Sequence, residues 1–211
     1  MSPKLMVLLS VFVGLLIGMN LLGGKIVSLF GISVSVGIFM VPITFLITDI
    51  VAEVYGRKTV QWFIYGGLIA LLMTLAYIWL FVALEPHARY TFNSEYATIF
   101  GLSTRMIFAS IVAFAISQLH DIFAFEFWKK KTGGKMLWLR NNLSTVVSQM
   151  LDTLIFMFIA FYQIAPKFTA VFIISLAIPY YLFKVAFAVI DTPLVYIGVK
   201  WLRAGKSEGN V

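Results

Sequence analysis

Carboxylate and amide side chains interrupt several long apolar stretches of this 211-residue chain. Phe45, Asp49 and Glu53 follow one another at four-residue intervals, so a helix places all three on one face. Gln118 and Asp121 are three residues apart, which makes them neighbours on a second helix. Carboxylates accept hydrogen bonds or carry protons, and amides both donate and accept. Such residues can bind a polar small molecule.

Two later apolar stretches carry the same kinds of residue. Asn142, Gln149 and Asp152 fall on one polar stripe of a helix, and Lys184 and Asp191 are two turns apart on another. At a rise of about 1.5 Å per residue, the polar groups of these four helices reach the cytoplasmic half or the midplane of a membrane. Ionisable groups at that depth are costly, and they often mark substrate pathways. Their convergence predicts a carrier with a site that opens inward.

Each of these residues also has a structural interpretation. Asp49 can pair with a basic residue at the end of its helix, and Glu53 lies near the interface, where water can solvate it. Lys184 can form a buried ion pair with either Asp152 or Asp191, and the sequence does not choose between them. Buried amides and hydroxyls also hold membrane helices together. The functional interpretation depends on four helices that carry polar groups at a common depth.

The elements that position these residues are predicted to be membrane spans. Hydrophobic residues make up 61% of the chain and charged residues 12%, whereas soluble domains carry about 25% charged residues. This composition excludes a soluble enzyme and a disordered regulator. A span takes about 20 apolar residues, and six segments qualify: 5–22, 34–54, 60–84, 106–125, 143–164 and 170–199. The sequence therefore predicts an all-α polytopic protein with one transmembrane domain over residues 1–203 and a disordered tail over 204–211.

The basic residues predict the orientation. The chain has 16 Lys and Arg residues and a net charge of +7. Most of them lie at the N-terminus, in the second and fourth connections and at the C-terminus, which alternating spans place on one side. Cytoplasmic loops are enriched in Lys and Arg, so both termini are predicted to be cytoplasmic. The basic runs are thus topology signals, and we expect no nucleic-acid partner.

Sequence motifs for catalysis are absent. The chain contains no cysteine and only two histidines. It also contains no G-x-S-x-G, H-E-x-x-H, Walker A or G-x-G-x-x-G motif. We therefore expect no enzymatic activity, no resident cofactor and no metal site, and any transport cannot be driven by ATP hydrolysis in this chain itself.

Two motifs resemble a known family. One runs over residues 42–56, with Pro-Ile-Thr-Phe, then Asp49, then Glu-Val-Tyr-Gly. The other runs over residues 138–153, with Trp-Leu-Arg-Asn-Asn-Leu-Ser-Thr, then Ser-Gln, then Asp-Thr. This combination resembles the queuosine precursor transporters of the vitamin uptake transporter group, over roughly residues 20–160.

The resemblance implies a multi-pass protein of a bacterial or archaeal inner membrane that imports a 7-deazaguanine, such as preQ0 or preQ1, for tRNA modification. A carboxylate can accept both the ring N–H and the exocyclic amine of a guanine-type base. Amides can bind the remaining polar atoms, and an aromatic ring such as Phe45 can cover the plane. The alternative is a substrate-binding subunit of an energy-coupling-factor vitamin importer. The precursor (preQ0, preQ1 or queuine), the energy source (a proton gradient, metabolic trapping or a partner ATPase) and the oligomeric state, including a homo-oligomer or a coupling-factor complex, stay open.

Overall fold

The structure is a computed structural model that describes residues 2–133, 137–190 and 192–204, apart from the side chains at positions 57, 118, 121, 122, 125, 126, 129, 137–145, 188, 189 and 192. Its helices are α1 (Pro3–Leu22), α2 (Val41–Tyr55), α3 (Arg57–Ala83), α4 (Asn93–Lys131), α5 (Leu137–Phe161), α6 (Ala170–Ile190) and α7 (Thr192–Ala204). A hairpin of β1 (Ile26–Leu29) and β2 (Ile32–Ser35) and a short 3-10 helix (Val36–Phe39) lie between α1 and α2. The predicted helical membrane architecture is confirmed, with the hairpin as an addition to it.

Within the described part of the chain, five helical segments are long and apolar enough to cross a membrane. They are Pro3–Leu22, Val36–Tyr55, Lys58–Ala83, Asn93–Ser117 and Ala170–Phe187. The remaining predicted span, 143–164, corresponds to α5, whose apolar part among the described residues is the shorter segment Val146–Phe161. Six spans therefore stay a prediction, as does the single-domain organisation. Of the predicted tail, residues 205–211 lie outside the described residues.

Two predicted spans correspond to a longer helix and to a pair of helices. The fourth span was predicted to begin at residue 106, but α4 begins at Asn93 and runs without a break to Lys131. The hydroxyls of Thr98 and Thr104 donate to carbonyl oxygens four residues earlier, so these polar side chains are accommodated within the helix. The predicted span 170–199 corresponds to α6 and the first part of α7.

The described residues form two compact units. The first contains the chain up to Ile107 together with the chain from Leu182 onward, and the second is Phe108–Tyr181. In the first unit, a buried cluster joins α1, α2 and α3 through Leu5, Phe12, Ile47, Val51 and Phe63. A second cluster joins α2 to α7 through Ile50, Val199 and Leu202. α2 is therefore the central helix of this unit.

Hydroxyl groups hold the hairpin and α4 against the end of α1. The Ser35 hydroxyl donates to the Gly23 carbonyl at 2.6 Å and accepts the Gly37 N–H at 3.2 Å. The Ser103 hydroxyl of α4 donates to the Leu21 carbonyl at 3.1 Å. These bonds satisfy carbonyls that the last turn of a helix leaves without partners. In the first unit, side-chain hydrogen bonds thus join the hairpin and α4 to the end of α1.

Candidate functional site

The face predicted on α2 is the one that the first unit leaves uncovered. α2 buries Thr44, Ile47, Ile50 and Val51 among other residues, whereas Asp49 is exposed. Phe45 is half-buried and Glu53 is exposed, so the three predicted residues lie on the less buried side of the helix. An ionised carboxylate within an apolar span is costly against hydrocarbon. The Asp49 face is therefore suited to a polar, water-filled space.

Glu53 lies at an exposed end of α2 and is paired with α7. The Arg203 Nη2 is 3.4 Å from the Glu53 Oε1, and the two side chains are 61% and 62% exposed. Such exposed pairs contribute about 0–1 kcal/mol to stability. Nearby, the Lys4 ammonium of α1 donates to the Trp201 backbone carbonyl at 2.9 Å and lies 5.1 Å from the centroid of the Trp201 ring. This geometry favours the interfacial interpretation of Glu53, and its substrate contact stays a prediction.

α5 carries a buried acceptor in the second unit. The Gln149 Oε1 is buried and accepts no hydrogen bond from the described residues. The Thr153 hydroxyl donates to the Gln149 backbone carbonyl at 2.9 Å and leaves the side-chain amide untouched. Asp152, one turn after Gln149, is half-buried. A buried acceptor without a partner costs about 1–3 kcal/mol, and a ligand N–H can remove that cost.

Tyr180 of α6 lies beside the α5 stripe and was not predicted. Its side chain is buried and close enough to Asp152 for the carboxylate and the phenol to interact electrostatically. The neighbouring Tyr181 hydroxyl donates to the Val146 carbonyl at 3.4 Å, which joins α6 to α5. The sequence feature that could have identified Tyr180 is a tyrosine within an apolar helix, because a buried Tyr hydroxyl usually finds a polar partner.

Lys184 is 8% exposed and lies one turn after Tyr180 on α6. Its pairing with Asp152 or Asp191 stays a prediction, since Asp191 lies outside the described residues. The side chains of Gln118, Asp121 and Asn142 lie outside them as well, although their backbones belong to α4 and α5.

A histidine that the prediction omitted joins α4 to α5. The His120 Nδ1 is 2.9 Å from the hydroxyl of Ser148, which is buried. Ser148 directly precedes Gln149, so this contact fixes the α5 turn that carries the Gln149 amide oxygen. The helix α5, which carries the predicted polar stripe, thus interacts with His120 of α4 and with Tyr180 and Tyr181 of α6.

The chain is similar to proteins of one family. Residues 35–198 match the family model described as “Putative vitamin uptake transporter”. A protein of Bacillus subtilis (strain 168) named “Probable queuosine precursor transporter” is 34% identical over 188 residues, which cover 87% of this chain and 79% of that protein. The “Queuosine precursor transporter” of Escherichia coli (strain K12) is 29% identical over 164 residues, or 78% of this chain and 72% of that protein. No solved structure is significantly similar to the chain.

These matches confirm the resemblance found in the two sequence motifs. The family match extends over most of the chain and includes both motifs and five of the seven helices in full. The names of the family and of the relatives describe transporters rather than enzymes. The apolar helices supply the membrane-spanning elements that a transporter requires. The chain therefore belongs to the vitamin uptake transporter family and is a multi-pass membrane transporter.

Proposed function

We propose that the protein imports a queuosine precursor, a 7-deazaguanine such as preQ0 or preQ1, across the inner membrane for tRNA modification. The names of the relatives support this substrate class. The observation that carries the proposal is the Gln149 Oε1, which is buried without a partner among the described residues and lies one turn before Asp152. In a membrane helix, such an acceptor beside a carboxylate is best explained by a bound hydrogen-bond donor.

The donor pattern of a 7-deazaguanine fits this pair of side chains. The ring N–H and the exocyclic amine lie side by side, so the two oxygens of Asp152 can accept both, and charge-assisted bonds of this kind are strong. The Gln149 Oε1 can accept a further N–H, such as that of the pyrrole ring. The buried phenol of Tyr180 adds an aromatic surface near the carboxylate.

The remaining predicted residues are assigned to the pathway. Asp49 on the uncovered face of α2 can balance the positive aminomethyl group of preQ1 or carry a coupling proton. Phe45, half-buried one turn earlier, can stack on the base. Lys184 is buried and can balance a carboxylate when no substrate is bound. Gln118, Asp121, Asn142 and Asp191 belong to the same proposed pathway.

Six spans with both termini in the cytoplasm complete the proposal. The Lys4 ammonium near the start of α1 donates to the Trp201 backbone carbonyl near the end of α7 at 2.9 Å, which supports termini on the same side. Termini on one side require an even number of crossings, and the proposal therefore counts α5, with its shorter apolar segment Val146–Phe161, as a sixth span beside the five candidates. The basic residues at these ends favour the cytoplasmic side.

The test measures uptake of labelled preQ0 and preQ1 in a bacterial strain that cannot make them, with and without a protonophore. Wild-type protein is expected to restore uptake of at least one precursor. D152N is expected to reduce uptake about 10- to 150-fold at equal membrane abundance, because a hydrogen bond to a charged group contributes about 1.5–3 kcal/mol. E95Q changes an exposed carboxylate in the first turn of α4 and is the matched control.

Each outcome separates the possibilities. No uptake of either precursor by the wild type would refute preQ0 and preQ1 as substrates. Wild-type uptake by D152N would refute the site and leave the substrate class intact. Uptake that requires a co-expressed coupling subunit would favour the energy-coupling-factor alternative, and loss of uptake with the protonophore would identify a proton gradient as the energy source.

A further inference from the structure

A groove lies between α4 and α5 in the second unit, and none of the proposed substrate residues is among its described lining residues. Its volume is about 320 Å³. It is lined by His120, Phe123, Ala124, Phe127, Trp128 and Val147. The contact between His120 and Ser148 joins the two helices beside it. The groove is therefore largely apolar and aromatic, with one imidazole that is already hydrogen-bonded.

An exposed apolar stripe of α4 runs along this groove. Leu119, Phe123 and Phe127 follow one another at four-residue intervals and are 58%, 70% and 57% exposed. On α5, Val146 and Val147 are also exposed. Residues four apart lie one above the other on a helix, so the stripe extends along the helix axis. A hydrocarbon chain that runs parallel to α4 matches this surface.

Two lysines, Lys130 and Lys131, follow the apolar stripe at the C-terminal end of α4. Lys131 continues the four-residue spacing after Phe127, and its ammonium lies 5.6 Å from the ring centroid of Phe127 and 5.7 Å from that of Trp128. Lys130 beside it is exposed. Of the described side chains that line the groove, none is acidic. Lysines near helix ends extend toward the membrane interface, and Trp is enriched there.

We propose that this groove binds one anionic phospholipid. The phosphate contacts Lys130 and Lys131 at the basic end of α4, and one acyl chain lies along Phe123 and Phe127 toward Val147. Basic pockets at the cytoplasmic ends of membrane helices suit anionic headgroups. A zwitterionic lipid carries its own cation, so it gains less from the two lysines.

The described lining of the groove lacks the groups that the transported base needs. A guanine-type ring has several N–H donors, and burial of an unpaired donor is costly. Of the described lining side chains, only His120 offers a nitrogen acceptor, and its Nδ1 is hydrogen-bonded to Ser148. A phospholipid avoids this cost because its acyl chain carries no polar atoms and its headgroup stays at the interface.

The test is native mass spectrometry of the purified full chain with equal amounts of phosphatidylglycerol and phosphatidylcholine. We expect the wild type to retain one phosphatidylglycerol several-fold more often than one phosphatidylcholine. In K130Q/K131Q the ratio is expected to fall close to one. The matched control K58Q/K200Q removes two exposed lysines of the first unit and the same total charge, and it is expected to keep the wild-type ratio.

A second variant separates the groove from surface charge. V147F keeps both lysines and fills the groove, so the retained phosphatidylglycerol is expected to be lost, with V147I as a milder change. Circular dichroism and gel filtration verify that each variant is folded. A wild-type ratio near one, an equal loss in K58Q/K200Q, or full retention by folded V147F and V147I would each overturn the proposal. None of these measurements depends on the identity of the transported substrate.

Discussion

Replacement of Gln149 by methionine should separate stability from transport. The Gln149 Oε1 is buried and accepts no hydrogen bond from the described residues. If a substrate N–H is its partner, the empty transporter must carry an unsatisfied acceptor. Met has a similar length, no strong acceptor and a helix propensity close to that of Gln. Q149M should therefore stabilise the substrate-free protein and weaken substrate binding.

The size of both effects follows from the buried oxygen. An unsatisfied buried acceptor costs about 1–3 kcal/mol, and incomplete packing of the thioether lowers the gain, so we expect a stabilisation of about 1 kcal/mol. For a chain of this length that corresponds to a rise in Tm of about 2–4 °C. A lost neutral hydrogen bond costs about 0.5–1.5 kcal/mol, or roughly a two- to tenfold weaker Kd for the precursor.

The assay compares the thermal unfolding of detergent-solubilised protein with and without precursor, together with uptake into cells. Q61M is the matched control, because Gln61 is an exposed glutamine of α3. It should change neither the Tm nor the uptake. A fall in Tm in substrate-free Q149M would mean that the amide already has a partner. An unchanged Kd would mean that Gln149 does not contact the substrate, and either result would refute the reasoning.

Two further predictions concern packing and topology. G198A should lower the Tm by the equivalent of about 1–3 kcal/mol, because a Cβ on α7 would overlap the Ile50 side chain of α2. G101A, on α4 with no atom within 4 Å of its Cβ, should instead be neutral or stabilising by up to about 1 kcal/mol, and an equal loss in both variants would contradict close packing at Gly198. The chain has no cysteine, so K167C and K200C can each be labelled alone with a membrane-impermeant thiol reagent in spheroplasts. Labelling is expected at K167C only, and the reverse pattern would invert the proposed orientation.

Segment lengths were predictable to different degrees. The first three spans could be predicted from the sequence because α1, α2 and α3 are predominantly apolar, although the predicted span 34–54 begins in β2 and the 3-10 helix, before α2 starts at Val41. The span predicted at 106–125 covers only part of α4, because hydropathy locates an apolar segment and does not show how far the helix continues through polar residues on either side. The hairpin at residues 26–35 has a turn at Phe30 and Gly31, both with positive φ. Only the Gly suggests such a turn, because a bulky residue rarely adopts positive φ.

The sequence by itself determined that the chain is a helical membrane protein with polar residues on shared helix faces. Both properties are local, since hydropathy depends on neighbouring residues and the alignment of Phe45, Asp49 and Glu53 depends on helical periodicity. Only the tertiary structure decided which polar atoms have partners. Glu53 meets Arg203, 150 residues later in the chain, and the Gln149 Oε1 remains unpaired among the described residues. The reason is physical: a helix fixes the direction of its own side chains, but the packing of other helices against it decides what each side chain meets.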